Sequence, residues 1–535
     1  MPTRRSVVIG VDSSTQSTKA VAVDTDTGRV LAVGRAPHTV TGTGGARETD
    51  PEEWWTALCA AVRTAVRESG VPPTAVTGIA VAGQQHGLVA LGPDHRPLRP
   101  ALLWNDTRSA PQAAALTTAL GGPRSWLART GSVPVASMTA AKWQWFRDHE
   151  PHHADATTGI RLPHDHLTER LTGIAVTDPG DASGTCWYAT GRAGAGAGGP
   201  RGAGVTGANG PGAAGVDGSG LAGAYGPGPA GAYDPDVLDL IGLDPALLPV
   251  VAPSGATRVG TLTAAAAEAL GLPRTVVVAA GTGDNMAAAV GLGLGGAGLL
   301  DHPVVSLGTS GTVFAATRTR PADAGLAGFA ATDGTYLPLG CTLNCTLAVD
   351  RFATLLGLDR EDARPGGGVV VLPYLDGERT PDLPHAAGLV TGLRHGTDPR
   401  AVLGAAYEGA VFTVLRALDG LLAACGLDPA DPAVRDRPLR LIGGGARGRA
   451  WTETVRRFSG RPLVVPAAGE LVALGAAALA GAAVTGADPV ALATAWGTGA
   501  GEVLPAVARD DAAWHRIAEV LAAAGPTLLG GPAPA

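Results

Sequence analysis

The chain has 535 residues, too many for one hydrophobic core, so two domains are expected. Charged residues make up 16% of it and the formal net charge is −7, which excludes a strongly basic nucleic-acid-binding surface as the organising feature. Five scattered cysteines form no disulfide framework, the start of the chain lacks a signal-peptide pattern, and the longest apolar run (471–484, mostly Ala and Gly) is too short to span a bilayer, so a soluble cytoplasmic protein is expected.

Ser6 to Val11 reads as a strand running into Asp12-Ser13-Ser14-Thr15-Gln16-Ser17-Thr18-Lys19. Strands follow at Ala20 to Val23 and Val30 to Val40. A turn rich in hydroxyls and backbone N–H groups can cradle phosphate oxygens, and its carboxylate can hold Mg²⁺ through water. The same segment also reads as an ordinary hairpin, and it is not a GxxxxGK[ST] loop. Asp50-Pro51-Glu52-Glu53 predicts a helix start with Asp50 as cap and Glu53 completing a capping box. Trp54, Leu58, Val62 and Val66 follow at helical spacing and predict core positions. The strand Val76 to Ala82 ends in Gly83-Gln84-Gln85-His86-Gly87, which either presents polar side chains to a polyol or turns into a returning strand, Leu88 to Leu91. Another strand end, Leu102 to Arg108, offers Trp104 to stack on a sugar face and Asn105 and Asp106 to bond hydroxyls.

Only two lysines occur, Lys19 and Lys142. Lys142 stands near the start of a helix predicted over 137–149, where it opposes the helix dipole. His164-Asp165-His166 reads as a loop-to-helix junction, with too few ligands for a metal site. Residues 190–233 are dominated by Gly, Ala and Pro and read as a flexible insertion. The strand Thr275 to Ala280 leads into Gly281-Thr282-Gly283-Asp284-Asn285, with a helix expected over 286–295. That arrangement places a carboxylate at a strand's carboxyl end, where open α/β sheets bind ligands, and it also reads as a turn in which Asp284 caps a helix. Gly308-Thr309-Ser310-Gly311-Thr312, between strands at 304–307 and 313–316, repeats the design of the hairpin near Asp12. Later come a long helix over 400–425 and a strand at 439–442 ending in Gly443-Gly444-Gly445-Ala446-Arg447, where glycines let a flat ligand approach the backbone. Helices over 450–458 and 471–484 flank a strand at 463–465, and a tail of one helix and a disordered end closes the chain.

Ser137-x-Thr139-x-x-Lys142-Trp143-x-Trp145-Phe146-x-Asp148-His149 resembles one signature of the FGGY family of carbohydrate kinases. Residues 388–408 resemble the second, with Ala401 where the family usually has a polar residue, and the string that names the family is absent. Gly83 to Gly87 is similar to the sugar loop of the family's D-xylulose kinases, with Gln85 where Met is commoner. Leu103 to Asp106, Thr282 to Asn285 and Glu378-Arg379-Thr380-Pro381 also match. The resemblance implies an α/β protein of two related actin-like ATPase (ribonuclease H-like) domains facing across a cleft. Residues 1–296 would form the sugar-binding and catalytic domain, 297–500 the ATP-binding domain and 501–535 a helical or disordered tail. It implies ATP-dependent conversion of D-xylulose to D-xylulose 5-phosphate, with Asp284 as general base and Asp12 as a catalytic residue holding Mg²⁺ through water. Gln85, His86, Trp104, Asn105, Asp106 and Asn285 would meet the sugar. Thr15, Lys19 and Thr309 would lie by the phosphates, and Gly444, Gly445 and Arg447 by the adenosine. The expected partners are the sugar and ATP, with neither nucleic acid nor membrane, and a homodimer left open. The alternatives are the same chemistry on ribulose, gluconate or glycerol, and a non-kinase ATPase of the actin or chaperone type.

Overall fold

The computed structural model describes residues 6–190, 232–296, 298–333, 335–383 and 385–529. They fall into two compact units. The first comprises Met1–Gly291, Phe329–Thr335 and Glu470–Trp496, and the second Leu292–Gly328, Tyr336–Gly469 and Gly497–Ala535.

The first unit is built on strands β1 (Val7–Ser13), β2 (Ser17–Asp24), β3 (Val30–Pro37), β4 (Val76–Gly83), β5 (Arg258–Thr261) and β6 (Val277–Ala279), in the order β5-β6-β4-β1-β2-β3. A short strand, β7 (Thr282–Gly283), also pairs with β4. β1, β4 and β6 run parallel to one another, while β1, β2 and β3 form an antiparallel meander. Every residue of β1 is buried. A strand covered on both faces reads as an unbroken apolar run, as Val7 to Val11 does.

One cover is the helix Pro51–Ser69, which begins as expected: Asp50 Oδ1 accepts from the Glu52 N–H at 3.0 Å and Pro51 takes the first position. Glu53 does not close a capping box; its Oε2 accepts from the Thr39 N–H at 2.6 Å instead. The other cover is the helix Leu471–Thr485, whose small residues allow close approach. A Cβ on Gly10 would lie 1.9 Å from the Ala473 carbonyl oxygen, and one on Gly475 would lie 1.8 Å from that of Ala287.

In the second unit, β8 (Val304–Leu307), β9 (Gly311–Phe314), β10 (Tyr336–Thr342), β11 (Leu439–Ile442), β12 (Leu463–Pro466) and β13 (Gly501–Leu504) lie in the order β10-β9-β8-β11-β12-β13. β8, β9 and β10 are antiparallel, and β8, β11 and β12 are parallel. The sequence β3-β2-β1-β4-β6 of the first sheet thus recurs as β10-β9-β8-β11-β12, with the same strand directions. The helix Pro399–Ala424 is long and apolar enough to cross a membrane, but it is the central core helix here, with Leu403, Phe412, Leu418 and Leu421 fully or almost fully buried.

Several boundaries differ from those expected. The helices Leu471–Thr485 and Pro489–Ala495 belong to the first unit, because their glycines and alanines fit against β1 and the helix Asp284–Gly291 rather than their chain neighbours. Gly501–Leu504 is a strand paired with β12, so the segment from Ala500 onward belongs to the second unit, and its helix Asp511–Leu529 packs Ala513 and Ile517 into the core. Val89–Leu91 pairs with Gly159–Arg161 rather than returning along β4. The glycine-rich insertion lies mostly outside the described residues; at its edges Tyr188–Ala189 pairs with Ala232–Tyr233.

Candidate active site

Three neighbouring parallel strands of the first unit, β1, β4 and β6, end at the same edge of the sheet, the location where α/β proteins bind ligands. β1 delivers Asp12, β4 delivers Gln84, Gln85 and His86, and the chain after β6 delivers Asp284 and Asn285. β7 follows β6 and pairs with the end of β4, Thr282 opposite Ala82 and Gly283 opposite Gly83, which brings the Asp284-Asn285 pair to the Gln84-Gln85 pair. The glycines permit this approach, since a Cβ on Gly283 would lie 2.7 Å from Gln85 Cγ. The helix begins at Asp284 and ends at Gly291, earlier at both ends than expected.

Asp284 is half-buried and its two oxygens have different surroundings. Oδ1 accepts from the Asn285 backbone N–H at 2.8 Å and from Asn285 Nδ2 at 3.1 Å. Asn285 Nδ2 also donates to Gln85 Oε1 at 2.8 Å. Both amide hydrogens of Asn285 are therefore engaged within the protein, leaving its carbonyl oxygen for a ligand. Burial raises the pKa of Asp284 to about 7, and the nearby carboxylates of Asp12 and Asp181 push in the same direction.

Asp12 is buried. Its Oδ1 accepts from Ser14 Oγ at 2.6 Å, and its Oδ2 lies 3.4 Å from Lys19 Nζ. Lys19 also meets Glu470 Oε2 at 2.9 Å, a partner the sequence reading did not find. Burial raises the Asp12 pKa despite the opposing pull of Lys19. For Lys19 burial acts against the charged form, but Asp12 and Glu470 outweigh it and the pKa rises. Among the described residues no group of three or more His, Cys, Asp or Glu side chains could hold a metal directly. One carboxylate beside a hydroxyl suits a Mg²⁺ ion that keeps most of its water, so the residues fit the water-mediated role expected of Asp12.

The remaining sugar-side candidates divide. His86 has φ 66° and its Nδ1 lies 2.7 Å from the Gly184 carbonyl oxygen, an acceptor that requires a proton on Nδ1. Its ring lies 5.5 Å from that of Phe329. Trp104 is 42% exposed and donates Nε1–H to Thr15 Oγ1 at 3.0 Å, which leaves the Thr15 hydroxyl hydrogen for another acceptor. Asn105 Oδ1 is buried without a hydrogen bond. Asp106 is differently placed: it is buried, accepts from the Arg47 N–H at 2.8 Å and grips Arg108, which also bonds Glu48. These partners hold its pKa down against burial and give it a structural role rather than a free acceptor for sugar hydroxyls. Lys142 is also structural; its buried ammonium bonds the carbonyls of Ala136 and Ser137.

Behind the strand ends lies a short helix that sequence reasoning missed, Pro179–Ser183, with Asp178 as its N-cap and Gly184 at its end, buried throughout. Asp178 Oδ2 accepts from Thr282 Oγ1 at 2.8 Å, Gly184 holds His86, and Ser183 Oγ accepts from the Ala330 N–H at 2.9 Å, next to Phe329. Asp181 Oδ2 meets His164 Nδ1 at 2.6 Å, and His164 Nε2 lies 3.3 Å from Asp165 Oδ1. Pro and Gly between two Asp residues, with Ser and Gly close behind, carry only a turn signal, and nothing local shows that they underlie a site.

In the second unit, the turn after β8 carries an exposed Thr309, and the loop after the adjacent parallel strand β11 carries Gly443 to Arg447. Gly443 has φ 87°, and a Cβ there would lie 2.6 Å from the Leu307 carbonyl oxygen, so the two strand ends are neighbours. Gly444 faces open space, Gly445 is buried against Leu307, and Arg447 is exposed.

Comparison with known proteins agrees with this architecture. The N-terminal domain model of the FGGY family of carbohydrate kinases matches residues 7–191 and 229–291, and the C-terminal domain model matches residues 304–484. The chain is 51% identical over 526 residues to a xylulose kinase of Streptomyces rubiginosus, covering 98% of this chain and 97% of that one. It is also 51% identical over 527 residues to a xylulose kinase of Streptomyces coelicolor, with the same shares covered. A crystal structure of a xyloylose kinase from Brucella ovis superposes with a TM-score of 0.80 at 28% identity, covering 98% of this chain and 99% of that one. With its two sheets built to one plan and both domain models matched in order, the chain belongs to the FGGY family of carbohydrate kinases.

Proposed function

We propose that the protein transfers the γ-phosphoryl group of ATP to the 5-hydroxyl of D-xylulose, with Asp284 as general base. The observation that carries the reading is the asymmetry of the Asp284 carboxylate: Asn285 occupies Oδ1 with two donors, so Oδ2 is the oxygen left to take a proton. Oδ2 accepts the hydroxyl proton as the sugar oxygen bonds to phosphorus. The bond from phosphorus to the β,γ-bridging oxygen breaks, and ADP and D-xylulose 5-phosphate leave. A base with a pKa about 7 is matched to this task near neutral pH.

The sugar is read as lying against Gln85, His86 and Trp104, with the carbonyl oxygen of Asn285 as a further acceptor. Thr15 and Lys19 are assigned to the terminal phosphates, Thr309 to phosphates from the second unit, and Gly444, Gly445 and Arg447 to the adenosine. Asp12 would hold Mg²⁺ through water, and the ion would supply charge neutralisation on the phosphates. The identity to the two Streptomyces xylulose kinases supports the choice of sugar.

The test is ADP release from Mg-ATP with D-xylulose, D-ribulose, L-ribulose, gluconate and glycerol, each against a control without sugar. Strong stimulation by D-xylulose alone is expected. Stimulation by another of these compounds instead would place the error in the reading of Gln85, His86 and Trp104.

A further inference from the structure

We propose that Asp181 is a positioning residue for phosphoryl transfer: braced by His164, it holds the Gln85 amide so that Asn285 keeps both of its bonds and Asp284 Oδ2 stays directed at the sugar hydroxyl. The contacts form a line from the buried core to the base. His164 Nδ1 and Asp181 Oδ2 are 2.6 Å apart, with both side chains fully buried. Asp181 Oδ1 and Gln85 Nε2 are each buried without a hydrogen bond, and both side chains crowd Gly283, where a Cβ would lie 3.0 Å from Asp181 Oδ1 and 3.1 Å from Gln85 Cδ. Burial raises the Asp181 pKa well above the ordinary carboxylate value, and the neighbouring Gln85 amide acts the other way. Gln85 Oε1 accepts from Asn285 Nδ2 at 2.8 Å, and that same nitrogen donates to Asp284 Oδ1 at 3.1 Å.

An amide has one acceptor end and one donor end, so only one orientation of Gln85 satisfies this line. With its oxygen on Asn285, its NH₂ is turned away from Asn285, and Asp181 Oδ1 is the unpartnered buried acceptor on that side. Without it the amide is free to reverse. Asn285 Nδ2 would then face a second NH₂ group and lose one of its two acceptors, which loosens the amide that holds Asp284 Oδ1. Asp165 and Asp178 complete the charged surroundings. Asp165 stands on the far side of His164, and Asp178 is committed to the Thr282 hydroxyl and to the N–H groups of Gly180 and Asp181. Neither of those two is placed to replace Asp181 as the partner of Gln85.

The proposal rests on Asp284 being the base, which Asp284→Asn tests separately. Its own test uses Asp181→Leu, Asp181→Asn, Gln85→Leu and the double variant Asp181→Leu/Gln85→Leu, assayed with the sugar that gives the greatest stimulation. Asp181→Leu is expected to lower kcat at least about tenfold, as loss of positioning does, with a smaller change in KM for the sugar. Asp181→Asn keeps an acceptor for Gln85 and a donor for His164, and should recover most of that loss. Gln85→Leu should lower kcat by a similar factor, and the double variant should be no worse than either single one. The proposal is overturned if Asp181→Leu leaves kcat unchanged, if Asn is no better than Leu, or if the two single losses multiply to within about a factor of two. Should Asp181→Leu fail to fold, Gln85→Leu alone decides: a fall in kcat supports positioning, and a rise in KM with kcat intact refutes it.

Discussion

At Asp284 three influences disfavour the charged carboxylate: burial first, then Asp12, then Asp181. Free protein therefore holds the base near half-ionised at pH about 7, and kcat/KM should fall as the pH drops through that value. The same shift bears on stability. A carboxylate whose folded pKa exceeds its unfolded value of 3.8 stabilises the fold below that value, and the contribution is lost as the pH rises through about 7. Asp284→Asn removes both effects. It should bind sugar as the parent does in calorimetry, lose turnover by roughly 10²–10⁴-fold, and melt above the parent at pH 8 without ligands. Near-normal turnover would remove Asp284 from the role of base, and a lower melting temperature would mean that its ionised form is held by contacts beyond those described.

The helix Asp284–Gly291 carries the base at its first position, so its seating against the helix Leu471–Thr485 fixes where the carboxylate lies. The contact is between backbones: a Cβ on Gly475 would lie 1.8 Å from the Ala287 carbonyl oxygen, and one on Gly291 would lie 2.2 Å from that of Leu471. Neither helix can yield at that distance without moving. Gly475→Ala should destabilise the protein by about 1–3 kcal/mol, the usual cost of overpacking, and lower kcat as well because the shifted helix takes Asp284 with it. Thermal melting and steady-state kinetics on the same preparation check both, and a variant with parental melting and turnover would contradict the contact. This pair also shows what the sequence could and could not disclose. Asp12, Gln85 and Asp284 were legible because each ends an apolar run in a glycine- or hydroxyl-rich turn, a local pattern with a direct structural meaning. The seating of 471–485 against β1 was not, because small residues declare a close approach without naming the partner. Asp106 misled because nothing local shows that Arg108 grips it while also bonding Glu48, 60 residues upstream. The short helix Pro179–Ser183 stayed hidden since the bonds from its flanks to His86 and Thr282 span about a hundred residues.

Across the whole molecule, the two sheets repeat one strand plan, and the N-terminal family model matches on both sides of the glycine-rich insertion, over 7–191 and 229–291. The edges of that insertion are held by the protein itself. Tyr188 pairs with Tyr233 and Ala189 with Ala232, and the Tyr233 hydroxyl donates to the Pro249 carbonyl oxygen at 2.8 Å. Antiparallel partners lie about 5 Å apart, a gap that a two- to four-residue turn closes. The described contacts that position the site residues of the first unit run through β1, β4, β6 and the short helix Pro179–Ser183. Replacing residues 192–230 with a short Gly-Asn turn should therefore leave kcat and both KM values within a few-fold of the parent. The melting temperature should hold or rise slightly, since a shorter loop costs less entropy to close. Activity and melting measured on the shortened chain decide this: a protein that folds but does not turn over would place part of the active site in the insertion, and one that does not fold would make the insertion part of the first unit's framework.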